Sequence, residues 1–98
     1  MILEVAHLQV ISGRELEFES AFEKAQLIIA AMDGYISHDL QRCIEDASHY
    51  LLQVRWTTLE AHTVGFRSSA QYQQWRALLH HFYDPFPEVL HFEALRLP

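Results

Sequence analysis

Two halves of the chain repeat one strand–helix–strand pattern, and this repetition restricts the fold more than any other feature. The halves span residues 1–44 and 48–97, with no linker or low-complexity segment between them. Four segments have the apolar, β-branched or aromatic composition of strands: residues 2–11, 35–44, 49–57 and 88–97. The 98 residues are expected to form a single domain over positions 1–98.

Apolar side chains at helical spacing predict one main helix in each half. The first helix carries Phe18, Phe22, Ala25, Ile29 and Met32, and the second carries Tyr72, Trp75, Leu79 and Phe82. Spacings of three and four residues place each set on one face of its helix. With right-handed crossovers, the order βαββαβ predicts a ferredoxin-like α+β fold, in which both helices cover one face of a four-stranded antiparallel sheet.

The first strand is apolar on both faces, although the two helices cover only one face of the sheet. Leu3, Val5 and His7 share one parity, which we expect to face the helices, while Ala6 and Leu8 share the other. An uncovered apolar face would exceed the roughly few hundred Å² that a soluble monomer usually exposes. We therefore predict a homodimer in which two copies pack their sheets face to face.

Charge and cysteine content narrow the choice of partners and compartment. The formal net charge is −6 and the seven basic residues are scattered, so neither nucleic acid nor an anionic membrane is an expected partner. A single cysteine, Cys43, forms no internal disulfide and fits a reducing compartment. No signal-peptide pattern and no apolar run of about 20 residues are present, so we expect a cytoplasmic protein.

Short motifs follow one another along most of the chain in a recognisable order. They are the opening strand, Glu17-Phe18-Glu19, Ala21-Phe22, Asp33-Gly34-Tyr35, Tyr50-Leu51-Leu52, Val54-Arg55-Trp56, Glu60-Ala61-His62, Phe66-Arg67-Ser68, Tyr72, Trp75-Arg76 and His91-Phe92-Glu93. In order and spacing they resemble the antibiotic biosynthesis monooxygenase family of dimeric α+β barrels. The resemblance implies a homodimer with a pocket in each subunit. It also implies oxygenation of phenolic or quinol-type aromatic molecules without metal or flavin.

A haem-degrading branch of the same family is a less favoured interpretation. The resemblance to that branch requires an asparagine on the first strand, a tryptophan in the late helix and a histidine ligand beyond it. In this chain His7 stands at the asparagine position, Trp75 matches the tryptophan, and Pro85 stands where the ligand is expected. Two of the three positions differ, so haem is disfavoured and no cofactor is expected.

The chemistry of dioxygen selects the candidate site residues. A metal-free oxygenase needs a general base with a pKa near neutrality, an apolar cavity, and a donor for the developing negative charge. His7 and His62 are the candidate catalytic bases, because the pKa of histidine lies near neutrality. The candidate substrate-binding residues are Trp56, Phe66, Tyr72, Trp75, Leu79 and His80.

Two further functional hypotheses remain beside the leading one. The leading hypothesis is a cofactor-independent monooxygenase that acts on an aromatic, phenolic or quinol-like substrate with dioxygen. The main alternative is a non-catalytic module of the same fold that binds a small organic molecule, and the third is haem binding. No metal site is predicted, because the only adjacent histidines, His80 and His81, diverge on a helix.

Overall fold

The computed structural model describes residues 1–97 and has the predicted order of strands and helices. Its elements are β1 (Ile2–Gln9), α1 (Glu15–Ala30), β2 (Tyr35–Arg42), β3 (His49–Trp56), a π-helical turn (Ala61–Phe66), α2 (Ala70–Leu79), a 3-10 turn (His80–Phe82) and β4 (Val89–Glu93). The four strands form one antiparallel sheet in the order β2-β3-β1-β4. The predicted ferredoxin-like α+β fold is therefore confirmed. The last strand is shorter than predicted.

Both helices bury the predicted apolar stripes against one face of the sheet. On α1 the buried side chains are Phe18, Phe22, Ala25 and Ile29, and on α2 they are Trp75 and Leu79. Ser69 caps α2, because its hydroxyl oxygen accepts a hydrogen bond from the backbone N–H of Tyr72 at 3.1 Å. Within residues 1–97, no helix combines the length and the apolarity needed to cross a membrane.

A glycine brings the start of β2 close to the π-helical turn. Gly34 has a φ of +84°, in the left-handed region that side chains rarely adopt. A Cβ atom added to Gly34 would lie 2.6 Å from the Cβ of Ala61, closer than real Cβ atoms approach. The absence of a side chain at this position therefore fixes where the π-helical turn sits above the sheet.

The two faces of β1 are the reverse of the sequence prediction. Ala6 and Leu8 are buried beneath the helices, whereas Leu3, Val5 and His7 lie on the face that the helices leave open. Because β1 is apolar on both parities, alternation alone does not specify which face is covered. The prediction that His7 faces the helices is therefore wrong.

The open face of the sheet is apolar where β1 meets the edge strand β4. Leu3 and Val5 on β1 pair with Phe92 and Leu90 on β4, whereas their partners on β3 are the polar residues Arg55 and Gln53. On β4, Leu90 is 49% exposed and Phe92 is 50% exposed. Nothing within residues 1–97 covers this face, so the apolar residues of β1 and β4 form an exposed patch on the side opposite the helices.

Candidate active site

A cavity of about 450 Å³ lies between the covered face of the sheet and the helical segments of the second half. The sheet contributes Glu4, Ala6, Leu8, Leu52 and Val89, the π-helical turn and its end contribute His62, Phe66 and Arg67, and α2 contributes Tyr72 and Trp75. The segment after α2 completes the wall with His80, Tyr83, Phe86 and Pro87. The volume falls within the range of roughly 300–1,000 Å³ that is usual for small-molecule sites.

Aromatic rings form most of the helical wall of this cavity. Phe66 packs edge-on against Tyr72 at 5.3 Å and against Trp75 at 5.7 Å between ring centroids. His80 continues the wall, with its ring 5.9 Å from Tyr72 and 5.0 Å from Phe86. Four of the predicted substrate-binding residues, Phe66, Tyr72, Trp75 and His80, thus lie on the cavity wall. Rings at these positions suit a flat aromatic ligand.

The other two predicted substrate-binding residues, Trp56 and Leu79, lie behind the cavity wall. Both are 0% exposed and belong to the hydrophobic core. Trp56 stacks on His62 at 5.3 Å between ring centroids and donates its indole N–H to Oε1 of Glu4 at 2.9 Å. These positions correct the prediction of direct ligand contact, because both side chains are fully buried in the core and neither lines the cavity. Trp56 instead supports two residues that do reach the cavity.

His62 projects from the π-helical turn into the cavity wall and is held between two polar partners. Its Nε2 lies 3.4 Å from Oε1 of Glu4, and its Nδ1 lies 2.8 Å from Nε2 of His91. Burial, followed by the positive charge of Arg67 and the nearby His91, lowers the pKa of His62 to about 3. The imidazole is therefore neutral over the physiological range and is a weak base for proton abstraction.

Glu4 is the titratable group of the site that the sequence prediction missed. Glu4 is 5% exposed. Burial raises the pKa of its carboxyl to about 7, and this effect is larger than the lowering by the Trp56 hydrogen bond and by the Arg67 charge. The 3.4 Å approach to His62 is within ion-pair range, but the imidazole is neutral, so the contact is not an ion pair. The available signal was that Glu4 is the only acidic residue in the mostly apolar strand β1.

His7, the other predicted base, does not contribute to the cavity. Its side chain is exposed on the open face of the sheet, where its Nδ1 lies 2.9 Å from Nε2 of His49. The register of β1 places Ala6 and Leu8, not His7, on the cavity side. The sheet itself therefore separates His7 from the candidate site.

Three side chains on the cavity wall carry donor groups that are free to meet a ligand. The guanidinium of Arg67, the indole N–H of Trp75 and the hydroxyl of Tyr72 make no hydrogen bond to another side chain or backbone group within residues 1–97. Arg67 is the only cationic side chain on the described wall, and it lies close enough to act on the charges of Glu4 and His62. Negative charge that develops on a ligand would be stabilised there.

Few of the described side chains on the cavity wall could coordinate a metal ion or a haem iron. No group of three or more histidine, cysteine, aspartate or glutamate side chains within residues 1–97 is arranged to hold a metal ion. Both ring nitrogens of His62 already face protein groups, so His80 is the remaining imidazole on the wall. The arrangement fits an organic ligand better than a coordinated ion.

The fold and the cavity together define a ferredoxin-like α+β domain with a ring-lined, partly open cavity whose wall includes one buried carboxyl. The sequence profile of the antibiotic biosynthesis monooxygenases matches residues 1–78, and the chain belongs to this family. The resemblance deduced from the short motifs is thus confirmed.

Three other proteins are similar to this chain in sequence or in fold. YczJ, an uncharacterized protein of Bacillus subtilis (strain 168), is 55% identical over 93 residues, which cover 95% of this chain and 98% of YczJ. A candidate antibiotic biosynthesis monooxygenase from Bordetella bronchiseptica is 35% identical with a TM-score of 0.91, over 97% of each chain. SnoaB of Streptomyces nogalater, a cofactor-independent oxygenase, has a TM-score of 0.84 at 22% identity, over 98% of this chain and 94% of its own. At that identity SnoaB shows a common fold.

Proposed function

We propose that this chain is a small cofactor-independent monooxygenase that acts on an aromatic, phenolic or quinol-like substrate. Glu4 is the general base that removes the substrate proton. The observation that carries the proposal is a buried carboxyl with a pKa of about 7 on the wall of an aromatic cavity. A base with a pKa near the working pH is both ionised often enough and basic enough to accept a proton.

The proposed reaction starts when Oε2 of Glu4 takes the proton from the substrate. Oε1 accepts the Trp56 N–H hydrogen bond, whereas Oε2 has no hydrogen-bond partner within residues 1–97. The resulting anion lies in a cavity with Arg67, whose positive charge stabilises it. The anion gives one electron to dioxygen, and recombination of the two radicals forms a peroxide anion. This anion takes up one proton and becomes a hydroperoxide. Loss of water from the hydroperoxide leaves one oxygen atom in the product as a carbonyl.

Two comparisons support oxygen chemistry without a cofactor. The family is that of antibiotic biosynthesis monooxygenases, and the similarly folded SnoaB is a cofactor-independent oxygenase. In the proposed reaction the electrons come from the deprotonated substrate. The protein's part in this proposal is to supply a base, a positive charge and a ring-lined cavity, and Glu4, Arg67 and the aromatic wall support those roles.

Oxygen uptake with a panel of dihydroxynaphthalene-type and anthrone-type substrates tests the proposal. The wild type should consume oxygen above the buffer rate, and Glu4→Gln should reduce kcat/KM by about 100-fold or more. Glu17→Gln, at an exposed position on α1, is the matched control and should retain the wild-type rate. Saturable ligand binding with no oxygen uptake by the wild type would refute the enzyme and favour the non-catalytic binding module.

We also propose that the functional unit is a homodimer formed through the open face of the sheet. The face carries Leu3, Val5, Leu51, Leu90 and Phe92, and the last two are about half exposed in the single chain. Packing two such faces around a two-fold axis removes this apolar surface from water. Sedimentation equilibrium should show a dimer, and a stable single-chain species at micromolar concentration would contradict the proposal.

A further inference from the structure

Three titratable side chains form a connected line from the cavity to the edge of the sheet. Glu4 on β1 and His91 on β4 are direct cross-strand partners, so their side chains stand side by side on the covered face. His62 lies over both, with its Nε2 3.4 Å from Oε1 of Glu4 and its Nδ1 2.8 Å from Nε2 of His91. β4 is the edge strand, and His91 is more exposed than either partner. The line therefore runs from buried carboxyl to accessible imidazole.

We propose that this line is a proton relay, in which His62 and His91 carry the proton that Glu4 removes from the substrate out to solvent. The inference rests on the proposed function of Glu4 as the base. Rotation of the Glu4 carboxyl exchanges the oxygen that accepts the Trp56 N–H hydrogen bond and turns the protonated oxygen toward His62. Glu4 then passes its proton to Nε2 of His62, while the Nδ1 proton of His62 moves to Nε2 of His91. His91 then releases its own Nδ1 proton to water. One proton enters, one proton leaves, and no other bond changes.

The relay keeps the removed proton away from the substrate anion until the anion has reacted with dioxygen. Ground-state dioxygen reacts slowly with closed-shell molecules, so the substrate anion has to persist after deprotonation. A proton that stayed on Glu4 would return to the anion, whereas a proton that has left through His91 does not compete with dioxygen. Formation of water later in the reaction requires a proton, and its return along the same line restores the starting tautomers of both histidines.

The surrounding charges favour transfer through neutral imidazoles. Arg67 lines the cavity beside Glu4 and His62, and its charge opposes a long-lived imidazolium on either histidine. Trp56 packs against His62 from β3, is not titratable, and donates a hydrogen bond to Oε1 of Glu4. Stacking on Trp56 and the 2.8 Å contact with His91 hold the His62 ring in place, so a concerted exchange leaves neither imidazole charged in the core.

Removal and chemical rescue of His91 test the relay. In the full-length protein, His91→Ala should lower kcat by about 10-fold, less than the loss expected for removing the base itself. Added imidazole should restore most of the lost rate, because a free imidazole can take the vacated place. His91→Gln keeps a hydrogen-bonding side chain but has no second basic nitrogen, so it should be slow and not rescued. His81→Ala, on the 3-10 turn and outside the cavity wall, is the matched control and should be unaffected.

A readout that does not depend on turnover accompanies the kinetics. In isotope-labelled histidine NMR of the wild type, a scalar coupling between Nδ1 of His62 and Nε2 of His91 should report the shared proton. This coupling should disappear in both His91 variants, and circular dichroism should show that both variants are folded.

The outcomes separate the relay from the enzyme itself. Wild-type rates in His91→Ala, together with the loss of activity in Glu4→Gln, would overturn the relay and retain Glu4 as the base. Slow turnover that imidazole does not rescue, or the absence of the nitrogen–nitrogen coupling in the wild type, would also overturn the relay. Absence of oxygen uptake by the wild type on every substrate would overturn the proposed function, and the relay with it.

Discussion

Replacing Glu4 by glutamine is expected to make the folded protein more stable above about pH 7 and to change it little below about pH 4.5. Burial raises the pKa of this carboxyl from 4.5 to about 7 in the folded state. The folded state therefore holds the proton more tightly than the unfolded chain does. The contribution of Glu4 to stability is full below pH 4.5 and is lost as the pH rises to about 7. At about 1.4 kcal/mol for each pKa unit, the loss amounts to about 3 kcal/mol.

His62 acts in the opposite direction and has to be separated from Glu4. The pKa of His62 falls from 6.5 to about 3 on folding, so its contribution to stability is lost as the pH falls below 6.5. Between pH 4.5 and 6.5 the folded pair holds one proton on Glu4, and the unfolded pair holds one proton on His62. In this pH range the pair therefore makes the unfolding free energy of the wild type almost independent of pH. The difference in unfolding free energy between the wild type and Glu4→Gln therefore reports the titration of the Glu4 carboxyl alone.

Urea unfolding of the two proteins at equal chain concentration, over a series of pH values, measures this difference. Glu4→Gln keeps an oxygen that accepts the Trp56 N–H hydrogen bond, so packing is nearly preserved. The variant should gain up to about 3 kcal/mol relative to the wild type between low and high pH, while Glu17→Gln should show no such gain. If the unfolding free energies of the wild type and Glu4→Gln differ by the same amount at every pH, the carboxyl has an ordinary pKa. The assignment of Glu4 as the base then fails.

Three further substitutions test the fold around the site. Gly34→Ala should destabilise the protein by at least about 1 kcal/mol in thermal or urea unfolding, because its φ is +84° and a Cβ atom would collide with Ala61. Tyr50→Phe removes the hydroxyl that donates to Oε2 of Glu19 at 2.6 Å and should cost about 1 kcal/mol of unfolding free energy. Phe66→Ala should cost about 3–5 kcal/mol and weaken the binding of aromatic ligands in calorimetry, since this ring is 1% exposed in the core and also lines the cavity.

Much of the fold was predictable because helical spacing marks two segments of the chain and strand-like composition marks four others. The stripe that begins at Phe18 and the stripe that ends at Phe82 each follow helical spacing, and most of their side chains are buried as expected. The covered face of β1 was not predictable in the same way. A strand with apolar residues on both parities gives no preference, and its pairing with β3 decides that Ala6 and Leu8 point to the helices.

The aromatic part of the site was predictable, and its titratable part was not. Phe66, Tyr72 and Trp75 line the cavity because large rings on one helical face meet above the sheet. The location of Glu4 depends on the reversed face of β1, and the partner role of His91 depends on the register between β1 and β4. Both are long-range features of strand pairing, which the local sequence pattern does not specify.

The position of Glu4 shows why a stability argument and a functional argument have to be combined at this site. An apolar side chain on the covered face of β1 would avoid the cost of burying a carboxylate. The chain instead has a carboxyl that a tryptophan N–H and a neutral imidazole hold in place, on the wall of a cavity that also carries Arg67. Strongly shifted titratable groups in a cleft are concentrated at functional sites. The cost at neutral pH is therefore the physical reason to assign Glu4, and not either predicted histidine, as the base.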